Sequence, residues 1–269
     1  MPWCNASGVQ IRYERSGVGP TPLVLLHELG GSLEGWDQVV PLVEREFDIV
    51  RYDQRGAGLS EKVRTPFSMA DLAADLEAVI AANRLNPPVW VAGVAAGTAV
   101  AVAFAAKAHS GAAALVLCAP ALSVEPDRRR YLAERSELAA REGMRAVIDA
   151  TLERSFPEVV IRDRSLYENY RARFLANDPV AYGFANRALA ESTVDTLVPM
   201  VACPCLLLAG AHDGLRPIAQ VRALAARFPH ASVEVLDSGH IMNVQAPADL
   251  AAQILRFRTA VVANTPGLG

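Results

Sequence analysis

No apolar stretch of this chain is long enough to cross a bilayer; the alanine-rich run 98–106 falls well short of the ~20 residues that a spanning helix needs. No membrane partner is therefore expected. Charge of one sign is also missing: a formal net charge of -3 makes no field that gathers polyanions, and no basic run is interleaved with aromatics. Nucleic-acid binding is not expected either. Cysteine is scarce, and of the four residues Cys118 sits in the apolar run 114–119 and Cys4 near the start, which is unlike a disulfide framework. Reduced thiols follow. Cys203-Pro204-Cys205 has no second Cys/His pair at ligand spacing, so the sequence calls for no metal and no cofactor. The first twelve residues lack a basic segment followed by an apolar one, so no secretory leader is expected and the cytoplasm is the expected compartment.

Hydrophobic residues make up 52% of the 269 and are spread between polar segments, which fits a soluble α/β protein with one core domain. Residues 9–15 alternate behind the turn Ser7-Gly8, and Gly17, Gly19 and Pro20 then break the chain, predicting an opening antiparallel hairpin. The runs 22–27, 47–53, 88–93, 114–119, 205–210 and 232–236 are short, mostly apolar and bounded by turn residues, as buried parallel strands are. Between them, Ser68 can cap a helix whose Met69, Leu72, Leu76, Val79 and Ile80 share one face, with Asp71 closing a capping box. Alternating strand and helix predict a mostly parallel, doubly wound sheet.

That alternation stops after Pro120 and resumes at Cys205. The helical patterns 125–141, 144–156, 166–176 and 180–190 lie between, so residues 121–202 are expected to form an inserted helical lid on a core made of 1–120 and 203–269. The lid holds twelve arginines and thirteen acidic residues, at spacings such as Arg130 with Glu134 and Glu137 with Arg141, which predicts mostly solvated helix pairs.

The strongest local signal is Gly93-Val94-Ala95-Ala96-Gly97, an apolar strand turning into an alanine-rich helix. Glycines two positions either side of a central residue allow strand and helix backbones to pass closely, the shape of a nucleophile elbow. Three more segments end predicted strands: His27-Glu28-Leu29-Gly30-Gly31-Ser32, Gly210-Ala211-His212-Asp213, and Asp237-Ser238-Gly239-His240. Open α/β sheets place their sites at such strand ends. With these motifs the chain resembles the α/β-hydrolase superfamily, whose order is nucleophile, acid, histidine. The resemblance implies Ala95 at the nucleophile position, Asp213 as orienting acid, His240 as general base, and the N–H groups of Leu29 and Ala96 as oxyanion donors. It also gives structural duties to Asp53 and Arg55. Trp36, just after the oxyanion loop, is a candidate pocket wall beside Glu28.

Two residues depart from the pattern. Ala95 has no nucleophilic atom, which closes the acyl-enzyme route. The expectation is a serine hydrolase whose serine at 95 has been replaced, because glycines, acid, histidine and oxyanion loop are all present; a natural, non-catalytic binding relative is the other reading. Glu28 stands where many relatives have glycine, and a bond to nearby backbone or to a lid arginine is expected for it; where Ala95 is the natural residue, Glu28 becomes the alternative acid/base with His240. The segment 171–182 is most like the 3-oxoadipate enol-lactonases, so the resemblance implies hydrolysis of a small ester or enol-lactone, with hydrolysis of a carbon–carbon bond in a ring-cleavage product as the alternative. A small carbonyl compound is then the partner, and a homo-oligomer is compatible with the sequence.

Overall fold

The computed structural model describes residues 2–264. Its strands are β1 (Trp3–Ala6), β2 (Val9–Ser16), β3 (Thr21–Leu26), β4 (Phe47–Tyr52), β5 (Val89–Val94), β6 (Ala112–Cys118), β7 (Cys205–Gly210) and β8 (Ala231–Leu236). They form one sheet in the order β1-β2-β4-β3-β5-β6-β7-β8. The hairpin β1–β2 is antiparallel and joins β4 antiparallel, while every pairing from β4 to β8 is parallel. The helices are α1 (Val40–Val43), α2 (Met69–Ala82), α3 (Ala96–Ala105), α4 (Pro126–Glu142), α5 (Arg145–Ser155), α6 (Arg164–Leu175), α7 (Pro179–Ala190), α8 (Ile218–Ala225), α9 (Met242–Gln245) and α10 (Pro247–Asn264). Residues 1 and 265–269, the outer ends of the two expected core segments, lie outside the described residues. No helix of the described residues is long and apolar enough to cross a membrane.

Helices cover both faces of the sheet, which is why its central strands are apolar without alternation. Val24, Leu26, Val91, Leu115 and Leu207 pack against α2 and α3 on one side. Leu23, Leu25, Trp90, Val116, Leu206 and Leu208 face α1 and α10 on the other. Helix α2 begins as its sequence demands: Ser68 Oγ accepts from the Asp71 N–H at 3.2 Å and the Asp71 carboxylate accepts from the Ser68 N–H at 2.7 Å.

Asp53, at the end of β4, is wholly buried; it accepts from the Leu33 and Leu59 N–H groups, each at 2.8 Å, and meets Arg12 at 3.1 Å. Arg55 closes a two-toothed pair with buried Asp75. These contacts tie the loop after β3 to the loop after β4. Between β6 and β7 the chain runs through α4–α7, which build a small core of their own from Ile148, Leu152, Phe156, Tyr170, Phe174 and Tyr182, joined to Ile241 and Val244 beside α9.

The β5–α3 junction is the tightest point. A Cβ on Gly93 would lie 2.7 Å from the Gly97 carbonyl carbon, and one on Gly97 would lie 2.7 Å from the His27 oxygen. Backbone cannot yield as a flexible side chain can, so Gly97→Ala is expected to lower stability by about 1–3 kcal/mol, the usual cost of overpacking. Urea unfolding checks this; an unchanged midpoint would contradict the close approach.

Candidate functional site

Residue 95 adopts φ 47° and ψ -114°, a left-handed conformation that an alanine rarely takes. The Ala95 N–H donates to the Cys118 carbonyl at 2.9 Å. On its other side the Thr98 hydroxyl donates to the Ala95 carbonyl at 2.5 Å while accepting from the Ala121 N–H at 3.0 Å. Thr98 is therefore a brace for the elbow, occupied at both ends, and cannot act as the missing nucleophile. Cys118 is no substitute either, since complete burial pushes its thiol pKa up. Ala96 opens α3, so its N–H has no partner within the helix and is free for an anionic oxygen.

Asp213 and His240 come together from the loops after β7 and β8. His240 Nδ1 lies 2.8 Å from Asp213 Oδ2, and the other carboxylate oxygen accepts from the N–H groups of Leu215 at 2.8 Å and Arg216 at 3.0 Å. Burial opposes ionisation of Asp213, yet the His240 hydrogen bond and charge, with the two backbone N–H groups, outweigh it and hold the carboxyl below its ordinary pKa. An ionised Asp213 makes Nδ1 the donor, which leaves Nε2 with the lone pair of a base. Gln245 holds this loop in place: its Oε1 accepts from Ser238 Oγ and from the Ile241 N–H, both at 3.1 Å, and its Nε2 donates to the Ser155 carbonyl at 2.8 Å. The same carbonyl accepts from the His240 N–H at 3.3 Å. His240 is thus anchored on the helical insertion.

The loop after β3 is held from the loop after β4. His27 Nε2 accepts from the Gln54 N–H at 3.0 Å, which assigns the proton to Nδ1, 2.7 Å from the Glu28 carbonyl. His27 therefore positions the backbone of Glu28 and Leu29 and has no ring nitrogen left for chemistry.

Ala95, Ala96, Leu29, Glu28 and His240 all line one cavity of about 100 Å³. Its roof comes from the insertion, with Val124, Leu132 and Leu189 as apolar walls and Arg128, Arg135, Tyr170, Tyr182 and Asn186 as polar ones, and Arg216 closes it from the β7 side. Two expectations require correction. Trp36 does not wall this cavity: it is fully buried in the core on the α1–α10 side of the sheet, because the turn at Leu33–Trp36 directs it inward. Glu28 makes no bond to backbone or to a lid arginine; it is 2% exposed, and its carboxylate meets the Tyr170 hydroxyl of α6, whose pKa is pushed up first by burial and then by the charge and hydrogen bonding of Glu28.

The insertion's arginines are of two kinds. Arg130 pairs with Glu134 and Arg187 with Glu191 on exposed faces, as their spacing predicts. Arg128 and Arg135 face the cavity instead, and neither they nor Arg216 has a carboxylate in salt-bridge reach among the described residues; Arg135 bonds the Tyr182 hydroxyl and Arg216 the Pro120 carbonyl. Sequence spacing could not separate the two kinds, because it reports neighbours along a helix and not what faces a helix across a gap. Among the described residues no cluster of His, Cys, Asp and Glu is arranged to hold a metal ion.

A family model described as serine aminopeptidase, S33, matches residues 22–239. The chain belongs to this family of α/β hydrolases. The hydrolase is similar to 3-oxoadipate enol-lactonase 2 of Acinetobacter baylyi, with 24% identity over 249 residues, 90% of this chain and 91% of the relative. Among solved structures, a thermophilic esterase from Thermogutta terrifontis with malate bound has a TM-score of 0.90 at 25% identity, covering 97% of this chain and 98% of its own. The enol-lactonase from Burkholderia xenovorans LB400 has a TM-score of 0.90 at 26% identity, covering 96% of this hydrolase and 100% of its own chain.

The lowered Asp213 pKa has a consequence for stability. A carboxyl depressed by folding adds stability that is fully present above its unfolded pKa and is lost as pH falls through the folded one. Asp213→Asn is therefore expected to flatten the acid limb of stability against pH, below the ordinary carboxylate range, in thermal melts. Equal acid limbs in the two proteins would contradict the pairing.

Proposed function

We propose that the cavity beneath the helical insertion hydrolyses a small ester or enol-lactone that carries a carboxylate, with residues 121–202 acting as its lid. The observation that carries the substrate class is the set of unneutralised guanidiniums. Burial lowers the Arg128 pKa and the nearby charges of Arg154 and Arg135 lower it further; burial likewise lowers that of Arg216, with Arg128 adding to it against the pull of Asp213 and Glu125. Arginine stays protonated under such pressure, so the cavity keeps a positive potential that an anionic substrate group relieves. The similar proteins support this class, one being an enol-lactonase and one an esterase with malate, a dicarboxylate, bound.

In this reading His240 is the proton acceptor, Asp213 fixes its tautomer, and the N–H groups of Leu29 and Ala96 receive the developing oxyanion. A serine at 95 would complete an acyl-transfer triad; alanine closes that route in the chain as it stands. Asn186 and the apolar walls confine the substrate to small molecules, in line with the cavity of about 100 Å³.

Two measurements test the reading. Arg128→Ala and Arg216→Ala should each weaken succinate binding about 10- to 100-fold by calorimetry, the worth of a charged hydrogen bond, while leaving binding of uncharged methyl acetate unchanged. Ala95→Ser should form a covalent adduct with a serine-directed phosphonate and should lose it with His240→Ala. Succinate affinity indifferent to both arginines would remove the carboxylate from the proposal, and absence of an adduct would remove the serine route.

A further inference from the structure

We propose that the open groove between the start of α4 and α8 is a second compartment of the site, which takes the aliphatic chain of a ligand whose carboxylate lies between Arg128 and Arg216. The inference rests on the carboxylate-bearing class proposed above and adds to it a chain on the carbon beside that carboxylate.

The cavity beside Ala95 and His240 is too small to be the whole site. Its volume of about 100 Å³ falls below the roughly 300–1,000 Å³ common for ligand pockets. A groove of about 440 Å³ lies beyond its wall, bounded by the loop after β6, the start of α4, the loop after β7 and α8. Val124, Arg128, Leu215 and Arg216 line both spaces, so the two meet at this boundary. Confinement by Asn186 and the apolar walls acts on the end of the molecule beside Ala95, and a longer molecule has room past these four residues.

Two of the four are the cations that no carboxylate neutralises. Arg216 is aimed by its own bonds: Nε donates to the Pro120 carbonyl at 3.1 Å and Nη1 to the Leu215 carbonyl at 2.9 Å, which leaves Nη2 without a partner among the described residues. The Arg128 guanidinium makes no hydrogen bond among the described residues and rests against Tyr131, 5.9 Å from the ring centroid. The charge of Arg128 acts on Arg216, so the two are neighbours of like sign. An anion between them relieves that repulsion and takes up the free donors.

Beyond the boundary the groove offers an anion nothing further. Its remaining charges are Glu125, Asp195 and Arg227, and the last two pair with each other at 3.4 Å. Leu122, Val221 and Leu224 supply apolar wall. A second carboxylate would face Glu125 there, whereas an uncharged chain takes apolar surface out of water. The chain therefore runs outward, the carbonyl end runs inward, and the carboxylate stands at the joint.

The groove can be blocked without touching the inner cavity. Gly214 lines the groove alone and is not left-handed, and a Cβ there would meet nothing within 4 Å, so a large side chain at 214 enters open space. Gln220, exposed on α8, lines it from the helix.

The experiment compares succinate, octylsuccinate and octanoate by calorimetry on the full chain with Ala95 unchanged. Octylsuccinate is expected to bind about 10- to 100-fold more tightly than succinate, the worth of about two to four methylenes taken out of water. It should also bind more tightly than octanoate, which has a chain but no inner arm. Gly214→Phe and Gln220→Trp should each remove most of the gain over succinate while leaving succinate affinity within about threefold. Arg128→Ala should weaken succinate and octylsuccinate alike, since both place a carboxylate at the boundary. Octylsuccinate no tighter than succinate, octanoate as tight as octylsuccinate, or a gain that survives both blocking variants overturns the second compartment while the carboxylate class stands. Failure of both succinate and octylsuccinate to bind overturns both.

Discussion

The site depends on one steric constraint, the near-contact of β3, β5 and α3 where side chains are absent. Gly93 lets the start of α3 fold back on β5, and Gly97 lets α3 lie against the carbonyl of His27. Only with both gaps can the N–H at the head of α3 and the loop after β3 border the same small space. The turn between them holds residue 95 left-handed, which costs on the order of 1–3 kcal/mol for a residue with a side chain. Thr98 and the Cys118 carbonyl meet that cost by hydrogen-bonding both flanks of the turn. The strain is kept although the side chain at 95 has no chemistry. What it fixes in this chain is the direction of the Ala96 N–H at the head of α3, which requires no hydroxyl at 95.

The insertion is coupled to His240 as well as to the cavity. The Ser155 carbonyl at the end of α5 receives the His240 N–H and the Gln245 side chain, so a shift of α5 moves the histidine backbone directly. The same insertion carries Arg128 and Arg135 on α4 toward the cavity. The body that carries these arginines therefore also touches the histidine loop, since α4 packs against α5 and α7 and the insertion shares a core of Tyr182, Leu152 and Ile148.

Much of the fold was legible because its signals are local. Six apolar runs ended by turn residues became six parallel strands, and Ser68 with Asp71 formed the capping box that their spacing calls for. Asp213 and His240 were legible as a pair through their order and their strand ends, and the structure brings them to 2.8 Å. Other features depend on what faces a residue across space, which spacing does not encode. Trp36 follows the oxyanion loop closely in sequence, but the short turn that contains it rolls its ring under the sheet. Arg128 and Arg130 stand two residues apart on one helix, so they point in different directions, one to the cavity and one to solvent. Gln245 carried no sequence signal, since its three bonds join a loop to an insertion 90 residues away.

The two departures at positions 28 and 95 border the same space, and each bears on the meaning of the other. A serine hydrolase depends on a positive or neutral oxyanion environment, because its intermediate places a full charge on the carbonyl oxygen. Ala95 supplies no hydroxyl, and Glu28 adds a buried carboxyl to the same lining, set against the Tyr170 hydroxyl. The Asp213–His240 pair and the positive φ at residue 95 are nevertheless fixed by contacts that need no hydroxyl at 95: the Leu215 and Arg216 N–H groups hold Asp213, and the Cys118 carbonyl and Thr98 hydroxyl hold the elbow.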